Sequence, residues 1–115
     1  MVARAKEYVP ERGDLVWISF DPARGHEQKG RRPAVVVSPL RYNNPSGLAL
    51  VCPVTSKSKP YPFVVSVDAY GVSGAVLTDH IRSVDWHTRQ IEKIGRIPTS
   101  TLSAIQDNLR KLIAD

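Results

Sequence analysis

The sequence predicts a mainly β chain of the α+β class: a small barrel or rolled antiparallel sheet closed by a C-terminal amphipathic helix. Three observations lead there. From residue 14 onward, short β-rich or apolar runs recur, each bounded by turn residues. The last segment shifts its hydrophobic period from strand-like to helix-like. No internal repeat or linker interrupts the order, so residues 1–115 read as a single domain.

The first run, DLVWISF (14–20), sets Val16, Ile18 and Phe20 on one face and Leu15 and Trp17 on the other. PAVVVS (33–38) and LALVCP (48–53) are continuous apolar stretches that read as strands buried on both faces. PFVVSV (62–67) alternates Phe63, Val65 and Val67 against Val64 and Ser66. GAVLTDHIRSVDW (74–86) reads as a strand, a kink near Asp79 and a second extended piece. The 91–97 pattern is ambiguous, a short strand ended by Gly95 and Pro98 being one reading. YNN (42–44), followed by Pro45, reads as a turn, and so does GVSG (71–74). Leu102, Ile105, Leu109, Leu112 and Ile113 then repeat at three and four residues, the stripe of an amphipathic helix. Thr99 or Ser100 is its expected N-cap. Trp17 and Trp86 read as core or interface residues rather than platforms for bases.

Composition narrows the class. A 42% hydrophobic content in 115 residues supports a core that needs no disulfide or structural metal. Cys52 is the only cysteine, which rules out an internal disulfide and fits a reducing cytoplasm. The N-terminal MVARAKEYVPERG has no apolar stretch of the signal-peptide kind, and no run approaches the roughly 20 apolar residues of a membrane span. A cytoplasmic protein with no membrane role is expected. His26, His80 and His87 are scattered and no Cys or His pair has ligand spacing, so no metal site and no cofactor is expected. Neither a phosphate loop of the G-x-x-x-x-G-K-[ST] type nor a G-x-S-x-G elbow is present.

The net charge of +5 points to an acidic or polyanionic partner, and its placement says more than its size. Arg24, Lys29, Arg31 and Arg32 crowd one long polar connection, and Lys57 and Lys59 lie in a second, TSKSKPYP (55–62). Long polar loops on a rigid sheet are where binding chemistry tends to sit. Cleaving RNA through its own 2′-hydroxyl needs a proton acceptor, cations for the crowded phosphorane and a donor to the departing 5′-oxygen. Glu27 and His26 could be the base, Arg32 the phosphate-binding fork, and Thr55 and Ser56 the donors. Guanidinium groups hold their protons too tightly to shuttle them, so charge stabilisation is the role open to Arg32. Spacing alone equally allows a strand-edge surface cation at Arg32, solvated loop residues at Glu27 and Gln28, and turn-stabilising hydroxyls at Thr55 and Ser56. Both readings stay open at this level.

The runs YVPERGDLVWISFDPARGHEQKGRRPAVVVSP, YNNPSGLALVCPVTSKSKPYPF and GAVLTDHIRSVDW, in that order, strongly resemble the MazF/PemK family of toxin endoribonucleases. They span nearly the whole chain, and only the terminal helix matches loosely. The resemblance implies an SH3-like, PemK-type rolled barrel acting as a homodimer. It implies metal-independent cutting of single-stranded mRNA at short motifs, leaving a 2′,3′-cyclic phosphate and a 5′-hydroxyl. It also implies a MazE-like antitoxin whose acidic, flexible tail covers the basic groove. Carried onto this chain, the catalytic residues are Arg32, Thr55 and Glu27. His26, Gln28, Lys29 and Arg31 are expected on the RNA from the first loop. Ser56, Lys57 and Lys59 are expected from the second, with Asp79 by a looser match. His26, His80 and Pro60 depart from residues common in the family, which bears on sequence preference rather than chemistry.

Two other classes compete. A protein-binding toxin on the same fold, like the gyrase poison CcdB, relies on a terminal Trp-Gly-Ile, whereas this sequence ends LIAD. A non-catalytic RNA-binding barrel predicts salt-sensitive binding without product, and the 7% aromatic content offers it few stacking platforms.

Overall fold

The valine-rich runs form the centre of a curled sheet. The computed structural model describes residues 7–21, 30–57 and 60–114. In chain order they form β1 (Asp14–Ser19), β2 (Arg31–Val36), α1 (Leu40–Ser46), β3 (Leu48–Thr55), β4 (Val64–Ala69) and β5 (Val72–Leu77). A single 3-10 turn (Thr78–His80), β6 (Arg82–Asp85), β7 (Glu92–Arg96) and α2 (Thr99–Ile113) follow. The strands pair antiparallel in the order β4-β5-β3-β2-β1-β7, with β6 added along β3. This is the mainly β, α+β architecture that the sequence predicts: an antiparallel half-barrel with a C-terminal helix, as in PemK-type topology.

The curl originates in β3. Its outer edge pairs with β6 from Leu48 to Val51, then with β5 at Val54 and Thr55. Pro53 stands at the handover, and a proline has no N–H to give a ladder. The strand therefore changes partner where one bond is missing anyway. One face of the sheet packs Leu15, Val35, Cys52, Val54, Val67 and Val76 with Ile97 and Ile105, partly beneath α2. The other collects Val16, Ile18, Phe20, Ala34, Val36, Ala49, Val51, Val84 and Trp86. With a core on each side, β2 and β3 read as unbroken apolar runs rather than alternating ones.

Several expectations need correcting. YNN is not a turn: α1 contains it, and Asn43 is fully buried. Its Nδ2 donates to the carbonyls of Pro10 (2.8 Å) and Ser38 (2.9 Å), and its own carbonyl accepts from Trp86 Nε1 at 3.2 Å. The helix ends on Gly47 in the left-handed region (φ 71°), whose N–H returns to the Asn43 carbonyl. GVSG is likewise more than a turn, since Val72, Ser73 and Gly74 open β5 and the reversal itself uses Tyr70 and Gly71. In α2 the stripe packs through Leu102, Ile105 and Leu109, whereas Leu112 and Ile113 are exposed. Neither Thr99 nor Ser100 caps this helix; both lie within its first turn, after Pro98, and no side chain caps it. The kink near Asp79 is the 3-10 turn between β5 and β6, and the ambiguous 91–97 segment holds β7.

Candidate active site

β2 starts two residues earlier than the sequence suggested and β3 ends two residues later, so Arg32 and Thr55 lie on strand ends rather than in loops. The last pairs of the β2–β3 ladder are Val35 with Cys52 and Ala34 with Pro53. Continued by two residues, the same register sets Arg32 across from Thr55, on the face shared by Ala34 and Pro53. The ladder stops short of them at Pro33, whose nitrogen faces β3 and has no hydrogen to give the Val54 carbonyl.

Where the strands separate, a cleft of about 350 Å³ opens. Trp17, Arg31, Arg32 and Pro33 line it from β1 and β2, Val54 and Ser56 from the end of β3, and Gly71, Val72 and Ser73 from the β4–β5 hairpin. Thr55 is not among the lining residues; half-buried, it alternates onto the Arg32 face. Its Oγ1 accepts the Lys57 backbone N–H at 3.2 Å, which leaves the hydroxyl proton to be donated elsewhere. Thr55 is also held from behind. A Cβ at Gly74 would fall 2.4 Å from the Thr55 carbonyl oxygen, so only glycine lets β5 pair this closely.

Arg31 is committed to the neighbouring connection. Its guanidinium donates to the Gln90 carbonyl at 2.8 Å and approaches Glu92 Oε2 at 3.3 Å. The ends of the long basic connection are stapled beside it: Gly30 N–H donates to Asp21 Oδ1 (2.9 Å), and Arg89 Nη1 to the Asp21 carbonyl (2.5 Å). Of the residues expected in that connection, His26, Glu27, Gln28 and Lys29 lie outside the described residues, as does Lys59 in the second loop. Ser56 and Lys57 are exposed at the end of β3.

Asp79 does not line the cleft. Its Oδ1 accepts the Tyr61 hydroxyl at 2.5 Å, tying the second loop to the 3-10 turn. Burial first, and then the Asp79 carboxylate, push the Tyr61 phenol up to about 12. Burial and the same carboxylate also push the Cys52 thiol to about 12, so this cysteine is no nucleophile. Among the described residues, no three His, Cys, Asp or Glu side chains gather as a metal site. No described helix is long and apolar enough to cross a membrane.

Sequence reasoning missed three contributors. Gly74 was concealed in a segment read as a turn. Tyr61 carries no signal until Asp79 is placed beside it. Trp17, read from the sequence as a core or interface residue, is 38% exposed and lines the cleft.

The family model described as "PemK-like, MazF-like toxin of type II toxin-antitoxin system" matches residues 11–113. The endoribonuclease toxin MazF of Escherichia coli strain K12 is 43% identical over 113 residues, covering 98% of this chain and 99% of that protein. MazF from Deinococcus radiodurans superposes with a TM-score of 0.90 at 49% identity, over 95% of this chain and all of that one. A chain from a MazE–MazF crystal structure of the same organism gives 0.82 at 45% identity, over 94% of this chain and 98% of that one. With nearly the whole sequence and the curled sheet both accounted for, this chain belongs to the PemK-like, MazF-like family of type II toxins.

Proposed function

We propose that this toxin is a sequence-specific, metal-independent endoribonuclease that cuts single-stranded mRNA and thereby halts translation and growth. The observation that carries the reading is a cleft lined by Arg31 and Arg32 where β2 and β3 end. The β2–β3 register, continued two residues past Ala34 and Pro53, supports a pairing of Arg32 with Thr55 there. The 2′-oxygen of the ribose attacks the adjacent phosphorus. The P–O5′ bond breaks, leaving a 2′,3′-cyclic phosphate and a 5′-hydroxyl. Glu27 accepts the 2′-hydroxyl proton, with His26 beside it as the competing base. Arg32 neutralises the pentavalent phosphorane, its backbone held by the first pairs of β2, and such preorganised charge is commonly the largest catalytic term. The Thr55 hydroxyl donates a hydrogen bond to the departing 5′-oxygen, which takes its proton from water.

The same reading extends to partners. Gln28, Lys29, Arg31, Ser56, Lys57 and Lys59 supply donors and cations around the scissile phosphate. The working form is a homodimer in the cytoplasm, restrained by a MazE-like antitoxin with an acidic tail. Support for that partner comes from the similar MazE–MazF crystal structures of Deinococcus radiodurans. Measuring RNA cleavage by Arg32→Ala and Thr55→Ala tests the assignment. Each loses on the order of a hundredfold or more in kcat with its urea midpoint nearly unchanged. Full activity in either variant removes that residue from the mechanism.

A further inference from the structure

We infer that Trp17 forms one wall of a nucleobase slot, in which a base of the bound strand stacks on the indole next to the Arg31–Arg32 end of the cleft. The inference rests on the RNA-cleaving reading and assigns that site a base-binding position. The two tryptophans are treated very differently by the fold. Trp86 is 4% exposed and donates its N–H to a buried carbonyl, whereas Trp17 is 38% exposed and lines a cleft together with Arg31 and Arg32. An indole left at the mouth of such a cleft offers a large π-face, and any base can stack on one.

The opposite wall is fixed. Gly71, Val72 and Ser73 face the cleft from the β4–β5 hairpin. Tyr70 precedes them with a positive φ of 52°, and its ring lies over Gly95 of β7. The fit there is close enough that a Cβ at Gly95 would come within 2.5 Å of the ring. This contact joins the hairpin at one end of the curled sheet to the strand at the other and braces the wall that carries Gly71, Val72 and Ser73. Arg31 does not fold over the indole either, because Gln90 and Glu92 hold its guanidinium. Ser56 and Ser73 also line the cleft and offer hydroxyls to the polar edge of a base.

The test uses the full-length protein and a labelled single-stranded RNA spanning a mapped cut site, with 2′-deoxyribose at the cut position to block attack. Binding is followed by fluorescence anisotropy for wild type, Trp17→Phe and Trp17→Ala, with an abasic nucleotide walked along the strand. Trp17→Ala should bind about tenfold more weakly, with most of the loss recovered by Trp17→Phe. One abasic position should weaken wild type by a similar factor while leaving Trp17→Ala almost unaffected. On all-ribose RNA, Trp17→Ala should raise KM with kcat little changed. Wild-type affinity in Trp17→Ala overturns the slot. So does an abasic penalty that is equal in variant and wild type at every position, which would mark Trp17 as structural or as a protein contact. Failure of wild type to cut the all-ribose strand would overturn the endoribonuclease reading itself, whereas cutting that is indifferent to Trp17 removes only the slot.

Discussion

At Gly74 one hydrogen atom in place of a methyl group decides where a strand can lie. The missing Cβ lets β5 pass against the Thr55 carbonyl, and an alanine there would have to displace backbone, not a pliable side chain. Gly74→Ala should therefore shift Thr55 and lower kcat by about tenfold to a hundredfold, since small misplacements of a catalytic group cost that much. Cleavage kinetics beside a urea melt would show it; unchanged kcat would mean that Thr55 keeps its place without the glycine. Tyr61 carries the residue scale into pH. Its phenol titrates at about 12 in the folded protein, against about 10 unfolded. A raised value means that the folded state holds the proton longer. The stability linked to the neutral phenol, through its burial and its hydrogen bond to Asp79, is therefore complete below about pH 10 and lost as pH rises through 12. In Tyr61→Phe, an absorbance titration at 295 nm should lose a phenol that titrates at about 12. The same alkaline profile in both proteins would contradict the pairing.

At the scale of elements, α1 shows how a sequence can mislead. Asn43, Asn44 and Pro45 carry turn chemistry, yet Asn43 spends both amide donors on buried carbonyls that the chain brings to it from Pro10 and Ser38. Ser38 Oγ in turn donates to Asn43 Oδ1 at 2.5 Å and accepts the Leu50 N–H at 2.8 Å. Such a node is invisible to local propensity because its partners are remote. Asn43→Ala should destabilise the fold by about 2–3 kcal/mol by leaving buried acceptors unsatisfied, measured by urea denaturation; a loss under about 0.5 kcal/mol would show that water replaces the side chain. Where burial follows periodicity the sequence was transparent. The double-sided valine runs, the break near Asp79 and the Leu102–Ile105–Leu109 stripe all appear where the hydrophobic pattern put them. The stripe's last two members, Leu112 and Ile113, stand exposed, and α2 joins the core through Leu102, Ile105 and Leu109 instead.

Across the whole molecule, the candidate site depends on contacts far apart in the chain. Arg32 and Thr55 could be named from the family resemblance. That they sit two residues beyond the Ala34–Pro53 pair, at the adjoining ends of β2 and β3, follows only from the register of two strands distant in sequence. Trp17 enters only because the sheet curls and Tyr70 meets Gly95 across its two ends. Neither arrangement is contained in any single window of residues. The most direct measurement is to incubate the purified protein with single-stranded RNA in excess chelator and to identify the chemistry of both new ends. Attack by the 2′-oxygen at a phosphate neutralised by Arg32 predicts cleavage at short defined motifs, with 2′,3′-cyclic phosphate and 5′-hydroxyl termini, absent in Arg32→Ala. A 5′-phosphate product, or equal cutting by Arg32→Ala, would contradict it.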